Sequence, residues 1–246
     1  MKNAVLITGA SSGIGEAMAI RFASEGFNLI LVARRRERLR TLGERIERDF
    51  GVRVLIRTVD LSDSAMAREL YDSVRAHDIA VWINNAGFGD YNKGWAANVE
   101  KISAMIDLNV GALTALSMLY ARDNRERDVQ LINVSSRMGY FIHGDAVAYS
   151  ATKFFVTSFT EGLARNLQEA GCRLRVKLLA PGPVDTEFEA VATTHSDHEP
   201  HQWENAHTPE EVADFAFRLY EGDKVLGIVD SEKRFTLEDP LYPYAG

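Results

Sequence analysis

The chain has 246 residues, 46% hydrophobic and 26% charged, a globular composition that excludes disordered, collagen-like and low-complexity readings. Twenty-eight basic residues against 35 acidic ones leave a net charge of −7, which argues against nucleic acid as a general partner because phosphate binding wants a basic surface. The single cysteine, Cys172, cannot form an internal disulfide and fits a reducing compartment. In chain order, the apolar pattern predicts strand Ala4–Thr8, helix Gly15–Ser24, strand Asn28–Ala33, helix Arg36–Phe50, strand Val52–Val59 and helix Ser64–Ala76. Strand Ile79–Ile83, helix Val99–Ala121, strand Gln130–Val134, helix Thr152–Glu169, strand Arg173–Leu179 and helix Pro209–Glu221 follow, with Val225–Val229 as a last strand.

Most of these strands are nearly continuous apolar runs, as expected when both faces are covered. Their alternation with helices implies right-handed βαβ units and an α/β fold, a Rossmann-like, doubly wound parallel sheet with helices on both faces. Ser64 and Thr208-Pro209 are helix starts, and Gly26, Gly51 and Gly171 sit where helices should stop. No linker or repeat interrupts a single domain over 1–246. The least regular stretch, Glu187–His207, is a candidate lid. Ala4-Val5-Leu6-Ile7 is too short for a signal peptide core. The longest smooth apolar stretch, Gly111–Ala121, falls short of the ~18 residues of a membrane span. The expectation is a soluble, cytoplasmic protein with no membrane partner.

Thr8-Gly9-Ala10-Ser11-Ser12-Gly13-Ile14-Gly15 joins the first strand to the first helix. Glycines let the backbone turn and approach a ligand, and free N–H groups at a helix start hold phosphate. The spacing is G-x-x-x-G-x-G, and G-x-G-x-x-G occurs nowhere in the chain. A carboxylate ending the second strand would bind the ribose of NAD. Here Phe27–Arg36 holds no acid and ends Ala33-Arg34-Arg35-Arg36. A guanidinium forks onto the 2′-phosphate of NADP. Arg34 is assigned to that phosphate with Arg35 as second contact, while Arg36 and Arg38 read as a solvated helix start.

Tyr149-Ser150-Ala151-Thr152-Lys153 places a phenol and an ammonium one helical turn apart on one face. A free phenol titrates near 10, and a neighbouring ammonium stabilises phenolate and lowers that value. Ser136 lies just beyond the strand Gln130–Val134, where an open α/β sheet binds ligands.

Taken together, these residues resemble the short-chain dehydrogenases/reductases over nearly the whole chain. The matches come in family order: Thr8–Gly15, Asp60-Leu61, Asn84-Asn85-Ala86-Gly87, Asn109, Ser136, Tyr149 with Lys153, and Pro181-Gly182-Pro183-Val184-Asp185-Thr186. The resemblance implies an NADP(H)-dependent oxidoreductase that interconverts a small alcohol and its carbonyl. Tyr149 would be the general acid in reduction and the base in oxidation. Lys153 would bind the nicotinamide ribose and lower the phenol pKa. Ser136 would bond the substrate oxygen, with adjacent Ser135 as the structural alternative. Asn109 would hold a water linking Lys153 to solvent. The cofactor would meet Gly9, Ser11, Ser12, Gly13, Ile14 and Gly15 in the glycine loop. Asp60 would bond the adenine with Leu61 beside it. Asn84, Ala86 and Gly87 would line the adenosine ribose. Pro181, Gly182 and Val184 would lead to Thr186 at the nicotinamide carboxamide.

The C-terminal stretch Asp223–Gly246 departs from the family ending, with Pro240-Leu241-Tyr242-Pro243-Tyr244 after a charged turn. Phe88, Met138, Tyr140, Phe141 and Phe188 are either pocket wall or ordinary packing. His195, His198 and His201 recur every three residues, a spacing that establishes no metal site and suits a solvated, mobile lid. A homo-oligomer, tetramer or dimer, is expected from the resemblance. The apolar positions of Val99–Ala121 and Thr152–Glu169 also exceed one buried stripe. The rival to an enzyme is a non-catalytic nucleotide sensor or scaffold on the same fold.

Overall fold

The computed structural model describes residues 3–63, 65–194 and 206–245. Among them, eight strands form one sheet. They are β1 (Ala4–Thr8), β2 (Asn28–Ala33), β3 (Val54–Thr58), β4 (Ile79–Asn84), β5 (Gln130–Val134), β6 (Arg175–Ala180), β7 (Leu226–Val229) and β8 (Phe235–Glu238). The spatial order is β3-β2-β1-β4-β5-β6-β7-β8. Neighbours pair in parallel up to β7, and β8 pairs antiparallel with β7. The order reverses between β1 and β4, and that switch point opens a crevice at the strands' carboxyl ends.

Side-chain alternation along each strand builds two cores. Val5, Ile7, Leu29, Leu31, Val81 and Ile83 face α1 (Gly13–Ser24), α2 (Arg36–Phe50) and α8 (Pro209–Glu221). Leu6, Ile30, Val32, Trp82 and Leu131 face the other way, towards α3 (Met66–Val74), α5 (Leu113–Asn124) and α6 (Val147–Glu169). Both faces being covered explains the near-continuous apolar runs. Thr208 caps α8 with a reciprocal box: Glu211 N–H donates to Thr208 Oγ1 at 3.2 Å, and Thr208 N–H to Glu211 Oε2 at 2.8 Å.

Several elements differ from expectation. The strands expected at Val52–Val59 and Arg173–Leu179 begin two residues later, and the helix expected from Ser64 begins at Met66, Ser64 itself lying outside the described residues. The sheet is not wholly parallel, because Phe235–Glu238 turns back as an edge strand through Lys233 at φ 62°. Four alternating residues, three half-buried and the last exposed, give too short a pattern to stand out. The helix expected at Val99–Ala121 is α4 (Val99–Ile106), a π-helical segment Asp107–Ala112, and α5. Val99–Asn124 as a whole is long and apolar enough to cross a membrane by length and composition, which the search for one smooth stretch missed. Ala112, Leu116, Leu119 and Tyr120 pack it into the second core, while Val99, Ile106 and Met118 stay exposed.

Within the expected lid, α7 (Phe188–Ala192) is helical. The segment's ends are pinned together: Asp185 N–H donates to His207 O at 2.9 Å and His207 N–H to Pro183 O at 3.0 Å. Residues 195–205, with His195, His198 and His201, lie outside the described residues.

Candidate active site

A cavity of about 540 Å³ runs along the strand ends, from Arg34, Arg35, Asp60 and Leu61, past the glycine loop, to Ser136, Tyr149 and Lys153. Gly9, Ser11, Ser12, Gly13, Ile14 and Gly15 form its floor, with Ala86 and Gly87 beside them. Pro181, Gly182, Val184 and Thr186 form the far wall. Gly9, at φ 70°, lies so close to the next loop that a Cβ would sit 2.9 Å from Ala86 Cα. A Cβ on Gly15 would sit 2.3 Å from Gly9 O. These two glycines thus serve chain-on-chain packing, beyond the ligand approach expected of them. Thr8 fastens the two strand ends: its Oγ1 accepts from the N–H groups of Asn85 and Ala86, both at 3.0 Å.

The basic end is arranged differently from expectation. Arg34 lies 3.7 Å from Asp60, so an acid from the loop after β3 stands beside it. Arg35 reaches over the glycine loop, its Nε donating to Ser11 Oγ at 3.1 Å and its Nη2 bonding Ser12 Oγ. Its Nη1 donates to Glu187 Oε2 at 2.7 Å, and Arg38 donates to Glu187 Oε1 at 2.7 Å. Arg35 is therefore the guanidinium seated at the loop, and Arg38 is no idle helix start. The two cations hold the Glu187 carboxyl at about 2, well below its usual range.

At the other end, α6 starts five residues earlier than expected and carries both Tyr149 and Lys153. Tyr149 and Lys153 are buried. Lys153 Nζ donates to Val134 O at 3.1 Å and stands 5.6 Å from the centre of the Tyr149 ring. An ammonium has three donors. A buried ammonium lining the cavity with donors beyond that one fits a ribose diol, so the residues present suit a dinucleotide. Burial pushes Lys153 down to about 8. Burial also pushes the Tyr149 phenol above its ordinary range; a hydrogen bond with Ser136 opposes this, and the negative charge of Glu189 adds to it. Lys153 contributes no lowering here, contrary to expectation: the direction is set by enclosure. Ser136 Oγ accepts from Met138 N–H at 3.1 Å, whereas Ser135 Oγ is spent on Lys153 O at 3.0 Å and Thr157 at 2.8 Å.

Two expected site residues do not line the cavity. Asn84 points into the second core, accepting from Trp82 Nε1 at 2.9 Å and donating to Ser117 and to Asn133 at 3.0 and 2.9 Å. Asn85 lines the cavity instead. Asn109, in the π-helical segment, stands behind the wall. Its Nδ2 donates to Phe88 O at 2.9 Å and Thr152 Oγ1 at 3.2 Å, and its Oδ1 accepts from Phe88 N–H at 3.2 Å. Thr152 Oγ1 in turn donates to Tyr149 O at 2.8 Å, so Asn109 couples the Phe88 loop to the Tyr149 helix. A π turn at such a place is a frequent mark of a functional site.

Of the candidate wall residues, Phe88, Met138, Phe141 and Phe188 line the cavity. Tyr140 does not: its hydroxyl donates to Glu161 at 3.1 Å and its ring packs on Tyr242. Phe188 and Tyr91 lie 5.4 and 6.2 Å from the Tyr149 ring. Tyr91, Arg137, His143 and Glu189 also line the cavity and were missed, since none belongs to a motif. Lys101 anchors α7, donating to Val191 O, Ala192 O and Thr194 O at 3.0–3.2 Å and to Asp90 at 2.9 Å.

The switch-point cavity, the buried Tyr149 and Lys153, and the half-buried Ser136 beside them define a dinucleotide-type α/β oxidoreductase site. The chain belongs to the short chain dehydrogenase family, whose model matches residues 3–197. It is 34% identical over 218 residues to the NADP-dependent 3-hydroxy acid dehydrogenase YdfG of Salmonella typhi, covering 85% of this chain and 86% of that one. It is 33% identical to sulfoacetaldehyde reductase 2 of Chromohalobacter salexigens, over 78% of this chain and 77% of the relative. Among solved structures, the short-chain dehydrogenase from Sphingobium yanoikuyae in complex with NADPH superposes with a TM-score of 0.84. Its identity is 31%, over 92% of this chain and 86% of that one.

Proposed function

We propose that this protein is an NADP(H)-dependent oxidoreductase that interconverts a small alcohol and its carbonyl, with Tyr149 as general acid and base. One observation carries the reading: Ser136, Tyr149 and Lys153 close one end of the cavity whose other end holds Arg34 and Arg35. When bound, the nicotinamide supplies or accepts the hydride. Arg35, seated between Ser11 and Ser12, holds the 2′-phosphate together with Arg34. Asp60 and Leu61 flank the adenine, and Lys153 holds the ribose hydroxyls with its remaining donors. The N–H groups at the start of α1 take the pyrophosphate.

The substrate oxygen sits between Ser136 and Tyr149, and both hydroxyls stabilise the developing alkoxide. Tyr149 gives up its proton in reduction, and Lys153 stabilises the phenolate left behind. A phenol held above its usual pKa is protonated, and so neutral, at neutral pH, the form that donates in reduction. Asn109 positions Tyr149 through Thr152. We read the protein as a cytoplasmic homo-oligomer, with α7 closing over the bound substrate. The test is a panel of aldehydes, ketones and alcohols with each nicotinamide cofactor, followed at the nicotinamide absorbance. NADPH-dependent reduction that Tyr149→Phe abolishes supports the reading. Nucleotide binding without turnover of any substrate favours the sensor or scaffold instead.

A further inference from the structure

The tail Pro240-Leu241-Tyr242-Pro243-Tyr244 has no part in the chemistry above, yet it lies along the helix that carries the reacting groups. One row of α6, stepping four residues at a time, reads Tyr149, Lys153, Thr157, Glu161, Arg165 and Glu169. Residues four apart on a helix are neighbours on successive turns. The start of the row builds the site: Thr157 Oγ1 donates to Lys153 O at 2.9 Å and lies 2.8 Å from Ser135 Oγ. The end of the row holds the tail. Tyr242 N–H donates to Glu161 Oε2 at 2.9 Å, Arg165 Nη2 to Pro240 O at 3.0 Å, and Tyr244 Oη to Glu169 Oε2 at 2.9 Å. Tyr140 Oη donates to the other oxygen of Glu161 at 3.1 Å. Glu161 is buried, so its carboxylate ties the tail and the loop after Ser136 to one turn of helix.

Tyr242 also reaches the catalytic loop itself. Its Oη donates to Gly139 O at 2.8 Å, and its ring packs 5.8 Å from that of Tyr140. Gly139 closes the 3₁₀ turn Arg137–Gly139 that Ser136 opens. Gly139 N–H donates to Ser136 O at 2.8 Å, and Met138 N–H to Ser136 Oγ at 3.1 Å. The second bond fills an acceptor site of the hydroxyl, which keeps its own hydrogen for donation towards a substrate oxygen. The turn is pressed against α6, since a Cβ on Gly139 would sit 2.2 Å from Thr157 Oγ1 and 2.9 Å from Lys153 O. We propose that Tyr242 is a positioning residue: its hydroxyl, through Gly139, fastens the turn that holds Ser136 at the substrate oxygen. The C-terminal tail is then part of what sets the reaction rate. This rests on the oxidoreductase reading of the same site.

The test is Tyr242→Phe, which keeps the ring and removes the hydroxyl, with Tyr244→Phe as a control on the same tail. The assay is single-turnover reduction by NADPH of a carbonyl that the panel above shows to be reduced. Tyr242→Phe should slow it by about two- to tenfold, the range of one lost hydrogen bond, with NADPH affinity unchanged. Tyr244→Phe, whose hydroxyl meets Glu169, should leave the rate alone. In a Ser136→Ala background the Tyr242→Phe penalty should vanish, because no hydroxyl is left to position. A general loosening of the fold would slow both backgrounds alike. An unchanged rate for Tyr242→Phe, or a penalty of full size without the Ser136 hydroxyl, overturns the proposal. Amide exchange at 138–140 in the NADPH-loaded protein reads the same fastening without turnover. It should rise in Tyr242→Phe and not in Tyr244→Phe, and equal exchange in all three proteins overturns the proposal. Reduction of no carbonyl at all, with exchange at 138–140 still raised by Tyr242→Phe, would count against the oxidoreductase reading and leave the fastening of the Ser136 turn standing.

Discussion

Glu187 occupies the guanidinium that the 2′-phosphate needs, so removing its charge should tighten NADPH binding. Arg35 is shared between the glycine-loop serines and Glu187 Oε2 at 2.7 Å, with Arg38 on the other oxygen at 2.7 Å. The side chains of Arg35, Arg38 and Glu187 are 43%, 50% and 51% exposed, so each pair is a screened surface contact. Such a pair is worth about 0.2–1 kcal/mol, and the low Glu187 pKa does not raise that figure at this exposure. The phosphate displaces only the Arg35 pair. Glu187→Gln should therefore tighten NADPH by about 1.5- to 5-fold. NADH, which has no 2′-phosphate, should hardly respond. The carboxyl is held at about 2 against an ordinary 4.5, so it stays ionised and competes equally across neutral pH. Its depressed pKa also means that the pair's contribution to stability is present above about 4.5 and is lost as pH falls through about 2. The assay is fluorescence titration of both cofactors at low and high salt, with the NADPH effect shrinking as salt rises. A variant that tightens NADH by the same factor, or weakens NADPH, refutes the competition.

Tyr149→Phe should cost at least ~10²–10⁴-fold in single-turnover hydride transfer with NADPH affinity nearly kept, whereas Lys153→Met should lower both; a near-normal rate for the first would sink the acid–base role. Lys101→Met should free the end of α7 and raise substrate KM more than it lowers kcat, since it removes three contacts to the end of α7 and their tie to Asp90, and none to the reacting groups; a pure kcat loss would contradict that. Backbone amides of 187–194 should gain hydrogen-exchange protection in the ternary complex, and equal protection with and without ligands would remove the lid. Light scattering at micromolar concentration should give a dimer or tetramer mass, since Val99, Ile106, Met118 and Phe155 are exposed apolar residues on α4, α5 and α6; a monomer would count against this.

How much of this was legible in the sequence depends on how local each signal is. The parallel strands and the cavity's two ends were readable because apolar runs and motif residues act over a few positions. The turn back at β8 was not, because its four residues, none of them fully buried, get their order from pairing with β7 rather than from their own pattern. The fate of Asn84 was readable and was missed. Strand residues two apart share a face. Trp82 is buried in the second core, so Asn84 had to follow it there, leaving Asn85 for the cavity.

The substrate wall illustrates the harder limit. Tyr91, Arg137 with His143, and Glu189 come from three separate stretches and meet only once α7 folds across the strand ends. Motif spacing cannot find such residues, because nothing about a wall requires a fixed interval between its parts. The reacting group needs one helical turn between phenol and ammonium, and so it leaves a trace in the sequence. Selectivity needs only shape and charge at the cavity mouth, which many sequences can supply. The phenol and ammonium are therefore legible as Tyr149 and Lys153, while the wall that Phe188 and Tyr91 build beside them becomes visible only in three dimensions.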